Sequence, residues 1–230
     1  MKSPVWLVLA FVQAPAGHIS AQGTIIYHQP SVPISPLIGR QLDLDGDGQI
    51  DLRFYDGSYQ PPLYSATAAS GVGSAKLLVT PQGPNDLGSY LVALSSGFEI
   101  GGSLSPSLLW AAHDAPNQYG DATVLGTYLP NVGSFVPDGF FYGTTAFMGI
   151  QFQIGSDWHY GWVRIRGGVA GPSDDGQQFY LNPPGWILDW AYESRADTPV
   201  FAGAVPEPSA GILAGLGFVV LLIQRWRKLA

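Results

Sequence analysis

Thr145-Ala146-Phe147-Met148-Gly149-Ile150-Gln151-Phe152-Gln153-Ile154, then Gly155-Ser156-Asp157, then Trp158-His159-Tyr160-Gly161-Trp162-Val163-Arg164-Ile165-Arg166 is the stretch that decides the fold class. From Ala146 to Ile154 the residues at every second position, Met148, Ile150, Phe152 and Ile154, are all apolar. The intervening set includes Gln151 and Gln153. A period of two puts alternate side chains on opposite faces of a strand, so the reading is one buried face and one wet face. Gly155-Ser156-Asp157 supplies a short glycine-containing turn, and the two halves form an antiparallel hairpin.

The same pattern recurs outward from this hairpin. Strands are expected at Thr24–Tyr27, Arg40–Leu44, Gln49–Tyr55, Ala75–Thr80, Ser89–Leu94, Ala122–Leu129 and Trp186–Tyr192. Glycine and proline punctuate the chain every eight to twelve residues, and no stretch holds a 3.6-residue period over three turns. Ser65–Ser74, made of small residues, reads as a loop. No internal repeat is evident. An all-β antiparallel β-sandwich, of jelly-roll or concanavalin-like type, is the expected fold, since many antiparallel strands bury themselves as packed sheets or a barrel.

Both ends read as targeting segments and are set apart from this body. Lys2 followed by apolar Val5–Val12 and then small residues has the order of a secretory signal peptide, with cleavage expected after Ala21 and, as second choice, after Ala16. At the other end, Val205-Pro206-Glu207-Pro208 precedes an uncharged apolar run from Ala210 to Ile223 and the basic residues Arg225, Arg227 and Lys228. Fourteen residues of helix reach about 21 Å, a thin transmembrane span. Basic residues behind it stay cytoplasmic and hold the rest of the chain on the far side of the membrane. The prolines keep the peptide entering the membrane extended. The expected organisation is a signal peptide over 1–21, one β-sandwich body over 22–204, and a sorting segment over 205–230.

Charge and composition exclude several classes. Four of the ten Lys and Arg residues and one of the seventeen acidic residues lie in the two end segments, leaving six basic and sixteen acidic groups in the body, a net charge of −10. Such a surface repels phosphate backbones, so no nucleic acid is expected as partner, and it suits divalent cations. Cysteine is absent, which removes disulfides, thiolate metal sites and thiol nucleophiles. Nucleophile-elbow, Walker and His-Glu-x-x-His patterns are also missing, and no catalytic residue is assigned. His28, His113 with Asp114, Asp157 with His159, and the pair Glu99 and Glu193 read as surface groups rather than as an acid–base set.

Asp43-Leu44-Asp45-Gly46-Asp47-Gly48-Gln49-Ile50-Asp51 is the segment of the body with a specific chemical reading. Carboxylates at positions 1, 3 and 5, glycine at 6, a carbonyl at 7 and an oxygen at 9 form the first part of a calcium loop of hard oxygen ligands. Four carboxylates within nine residues repel one another unless a cation neutralises them. The segment resembles the Asp-rich loops of EF-hand and dockerin modules. That resemblance implies Asp43, Asp45, Asp47, the carbonyl of Gln49 and Asp51 as ligands of Ca2+. Phe54 stands where an EF-hand has its bidentate Glu, and strands rather than helices flank the loop, so calcium would staple a β-connection at modest affinity.

The tail resembles the PEP-CTERM sorting signal of Gram-negative bacteria, in which a Pro-Glu-Pro motif, a short membrane helix and a basic end are recognised by the transpeptidase exosortase. The resemblance implies an inner-membrane intermediate and then delivery to the cell surface or the extracellular polysaccharide matrix. A looser resemblance covers His159–Ile165, Ile187–Glu193 and Pro199–Gly203, an arrangement found in exported proteins with this signal. Its aromatics are expected to pack the strands, with Trp190 and Tyr192 on one side and Ala191 on the other. The expected role is structural or adhesive and calcium-stabilised. The alternative is a secreted carbohydrate-binding or glycosidase-like protein.

Overall fold

A computed structural model describes residues 23–34, 40–59, 64–80, 90–112, 123–131, 134–138, 140–168, 170–172, 179–181 and 185–206. The expected signal peptide, the apolar run Ala210–Ile223, and Glu207, Pro208, Arg225, Arg227, Lys228 and His113 lie outside the described residues. Among the described residues every regular element is a strand. No helix there is long and apolar enough to cross a membrane.

The strands begin with β1 (Ile25–His28), β2 (Val32–Pro33), β3 (Arg40–Leu42), β4 (Leu52–Tyr59), β5 (Tyr64–Gly71) and β6 (Lys76–Thr80). They continue with β7 (Tyr90–Leu91), β8 (Glu99–Ile100), β9 (Leu109–Ala112), β10 (Thr123–Asn131), β11 (Ser134–Asp138) and β12 (Thr145–Ile154). The last five are β13 (Asp157–Gly167), β14 (Ala170–Pro172), β15 (Phe179–Leu181), β16 (Gly185–Glu193) and β17 (Val200–Phe201).

Thirteen of these strands form one sheet in the order β1-β16-β13-β12-β6-β7-β10-β5-β4-β3, with β11 beside β10, β2 beside β16 and β9 beside β6. Pairing is antiparallel except for a single parallel contact between Val124 of β10 and Tyr90 of β7. The hairpin expected from the quoted stretch is its centre: β12 and β13 pair without a break from Thr145↔Arg166 to Ile154↔Asp157. Gly155, in the left-handed region at φ 65°, makes the turn, where a side chain would be strained.

The main core joins the two ends of this sheet order. Leu42, Leu52, Phe54 and Ala69 of β3, β4 and β5 share one cluster with Met148, Ile150, Phe152, Val163, Ile165, Ile187, Trp190 and Tyr192 of β12, β13 and β16. The sheet therefore folds over on itself so that its halves face each other, an arrangement consistent with a β-sandwich. Met148, Ile150 and Phe152 are fully buried, and each such side chain contributes about 1.5–3 kcal/mol by leaving water.

Three expectations need correction. The second face of β12 is covered rather than wet: Leu78, Leu94, Ile100, Tyr160, Trp162, Ala191, Val200 and Ala202 make a second core, and Gln151 is buried with Nε2 3.4 Å from the Tyr160 hydroxyl. Ser65–Ser74 is not a loop, because Tyr64–Gly71 is a strand between β4 and β10. Its Ala68, Ala69 and Ser70 are all buried, and small residues with weak strand propensity carry little signal for a position packed on both faces. His159 and Glu193 are buried rather than on the surface. Trp190 and Tyr192 do lie in the main core and Ala191 in the second, on opposite sides of β16.

Candidate functional site

The acidic segment is the connection of a β-hairpin. β3 and β4 pair through Arg40↔Phe54, Gln41↔Arg53 and Leu42↔Leu52, and the Asp51 N–H closes the loop by donating to the Leu42 carbonyl at 2.9 Å. Leu44, fully buried, anchors the loop in the core. The remaining residues wrap round their own carboxylates. The N–H groups of Gly46 and Gly48 donate to Asp43 at 2.7 and 2.8 Å, that of Asp47 to Asp45 at 3.1 Å, and that of Leu44 to Asp51 at 2.8 Å. Gly46 and Gly48 have φ of 82° and 90°, which other residues adopt only with strain.

This wrapping brings one carboxylate oxygen from each of Asp43, Asp45 and Asp51 within 4.8 Å of the others. Ca2+ takes oxygen ligands at about 2.3–2.6 Å, so two ligands on opposite sides of one ion stand about 4.6–5.2 Å apart. The three oxygens fit a single ion of that size, and the triad is a site that can bind a metal ion. The Asp47 carboxylate stands outside it in this conformation. The Asp47 carboxylate accepts the Gln49 backbone N–H at 2.7 Å and its side-chain amide at 3.1 Å.

The electrostatics of the loop follow from crowding. Burial pushes the Asp51 carboxyl up to about 6; the Leu44 N–H opposes this, while the charges of Asp45, Asp43 and Asp47 reinforce it. The Tyr192 hydroxyl is raised as well, by burial first and then by Asp45, Asp43 and Asp51.

A second feature lies where the chain leaves the body. A pocket of about 360 Å³ is lined by Tyr27, Phe147, Trp162, Arg164 and Asp189 together with Gly203 and Val205. Its volume falls at the lower end of ligand pockets, about 300–1,000 Å³. Asp189 is 1 % exposed. It accepts Arg164 Nε at 2.9 Å, Arg164 Nη2 on its other oxygen, and the Tyr27 hydroxyl at 2.8 Å. Burial, then the bond to Asp189, holds the Tyr27 hydroxyl above its ordinary range. The Trp162 Nε1 is buried without a hydrogen-bond partner.

The pocket joins the three segments of the looser resemblance: Trp162 and Arg164 from the first, Asp189 from the second, Gly203 from the third. Arg164 and Asp189 were not singled out from sequence. Their signal was a charge with apolar neighbours on both sides in each strand, Arg164 between Val163 and Ile165 and Asp189 between Leu188 and Trp190, of opposite sign, and the register Arg164↔Asp189 pairs them.

Among the described residues weighed for acid–base work, each has its own surroundings. His159 places Nδ1 2.9 Å from the Glu193 carbonyl oxygen and packs against Phe152 and Tyr192. Asp157 is exposed and accepts Ser156 Oγ at 3.2 Å. The Glu193 carboxylate accepts the Arg195 N–H at 2.9 Å, whereas Glu99 is exposed on β8 opposite Phe201. The pocket contains neither glutamate.

After Val205 and Pro206, both exposed, the described chain stops at the start of the Pro-Glu-Pro segment. Residues 204–228 match the PEP-CTERM protein-sorting motif. That match supports an exosortase substrate, exported and processed at the membrane before release to the surface or exterior. No curated protein and no solved structure matches the chain significantly.

Proposed function

We propose that this is a structural or adhesive protein of the cell surface or extracellular polysaccharide matrix of a Gram-negative bacterium, delivered by exosortase and stapled by calcium. The observation that carries it is the sorting motif beginning at residue 204, directly after a folded all-β body. In this reading a secretory signal ending at Ala21 starts export and residues 210–223 cross the inner membrane as a short helix. Arg225, Arg227 and Lys228 hold its cytoplasmic end. Asp43, Asp45 and Asp51 hold Ca2+, which neutralises the acidic hairpin connection and fastens a chain without disulfides. The body performs no reaction.

Processing tests this reading. Protein recovered from the surface of the native host should have lost the segment after about Pro208, and changing Arg225, Arg227 and Lys228 together to Glu should leave the protein unsorted. Intact mass showing an uncut tail on surface protein would refute it.

The pocket favours a second reading, a carbohydrate-binding protein. Tyr27 and Phe147 offer apolar ring surface and Arg164 a planar set of donors, the mixture that fixes a sugar ring. A glycan array probed with residues 22–206, which keep Val205 of the pocket, with and without calcium, decides between the two. Binding that is lost in Tyr27→Ala and Arg164→Met supports the second, and an array without signal supports the first.

A further inference from the structure

The body is held rigidly up to the point where the sorting segment leaves it. β17 pairs with β8, the Ala202 N–H donates to the Phe98 carbonyl at 2.8 Å, and the Ala204 N–H donates to the Phe201 carbonyl at 2.9 Å. Gly203, at φ 83°, lies so close to Phe147 and Ser96 that an added Cβ would stand 3.0 Å from the Phe147 ring. The exit point is therefore fixed relative to the sheet.

From Pro206 to the first residue of the apolar run, Ala210, is four residues. A fully extended chain spans about 3.3–3.6 Å per residue, so about 14 Å at most separates the two. The headgroup zone of each leaflet is about 5–8 Å deep. Whatever path residues 207–209 take, an inserted tail keeps the exit end of the body against the headgroups.

That end is apolar. Among the described residues five large hydrophobic side chains are exposed: Phe98, Leu109, Phe140, Phe201 and Val205. Phe98, Phe201 and Val205 surround the exit, Phe140 precedes β12 at the same end, and none lies beside the β12–β13 turn. Gly203 touches Phe147 near the start of β12, and eight residues at about 3.4 Å each put Gly155 about 27 Å farther along that strand. The acidic loop belongs to the far end. The Asp51 carbonyl accepts the Val72 N–H at 2.7 Å, and Ser74 Oγ accepts the Gln153 N–H at 3.0 Å.

We propose that Phe98, Phe201 and Val205 form a bilayer-contact edge that seats the body on the lipid headgroups while the tail is inserted, with the acidic loop pointing away. This rests on the tail being a membrane span. Phe98, Phe201 and Val205 carry no charge and exposed Glu99 lies opposite Phe201, so the contact is made by apolar side chains and not by charge attraction, and it depends little on salt.

Because the chain has no cysteine, single labels report position cleanly. The full chain carrying Ser95→Cys, three residues from Phe98, or Ser156→Cys, at the far turn, is labelled with a polarity-sensitive dye and reconstituted into phosphatidylcholine vesicles. Flotation with the vesicles tests the tail. Among chains that float, the dye at residue 95 should emit at shorter wavelength and be quenched several-fold more by headgroup-depth nitroxide lipid than the dye at 156. Adding Phe98→Ser with Phe201→Ser should remove most of that difference without preventing flotation. Equal water exposure at both positions in floating chains overturns the bilayer-contact edge alone. Failure to float overturns the tail reading and the edge with it.

Discussion

The indole Nε1 of Trp190 donates to the carbonyl of Leu44 at 3.3 Å, joining the core strand β16 to the acidic loop across 146 positions of sequence. Trp190 also stacks on His28 with ring centroids 5.1 Å apart, so one side chain packs the core and ties the loop to it. Trp190→Phe keeps an aromatic ring but leaves the Leu44 carbonyl without this donor. A loss of about 1 kcal/mol is expected, read as a lower urea midpoint at unchanged slope. Trp190→Ala should lose about 3–5 kcal/mol.

Calcium should raise the melting temperature of the body, because a ligand that binds only the native state adds about 2.7 kcal/mol at one hundred times Kd. Asp45→Asn and Asp51→Asn should each abolish most of the response, whereas Asp47→Asn, at a residue outside the triad, should keep the larger part. Magnesium should do much less, since it demands tight octahedral geometry and dehydrates reluctantly. Scanning calorimetry at millimolar calcium measures all of these, and an Asp47→Asn loss equal to that of Asp45→Asn would return Asp47 to the ligand set.

Metal-free protein should lose stability as pH rises through the range from about 4 to 6. The Asp51 carboxyl titrates at about 6 in the folded chain and near 3.9 when unfolded, so the unfolded state gives up its proton first and stability falls until pH passes the folded value, above which the loss stays constant. Asp51→Asn should flatten this slope. Calcium should reverse it, as its affinity grows when the proton leaves. Urea unfolding at pH 4.5 and 7 in chelator, and again in calcium, gives the sign directly.

Arg164→Leu should destabilise the body by about 2 kcal/mol or more, because Asp189 would keep a buried charge with only Tyr27 beside it. A fully buried pair broken this way loses about 3–5 kcal/mol, and the partial exposure of Arg164 lets water offset part of that. Arg164→Leu combined with Asp189→Leu should recover most of the loss, which a double-mutant cycle in urea with the two single variants would measure.

Amino-acid order alone determined the local features whose cause is local. The period of two in β12 and β13, Gly155 at their turn, and the run of Asp and Gly at 43–51 are set by neighbours in the chain, and the three-part tail is a linear signal, which is why all were legible from sequence. Tertiary structure decided the rest. Small residues such as Ala68 and Ala69 belong to a strand only because neighbours cover both faces, and Gln151 is buried only because a second core lies over β12. Asp43, Asp45 and Asp51 gather while Asp47 turns to Gln49 because backbone N–H groups choose which carboxylates point inward, a matter of φ and ψ rather than spacing. The pairing of Arg164 with Asp189, and the pocket they share with residues before the sorting motif, depend on strand register. Strand register is set by packing the whole sheet, and no single segment specifies it.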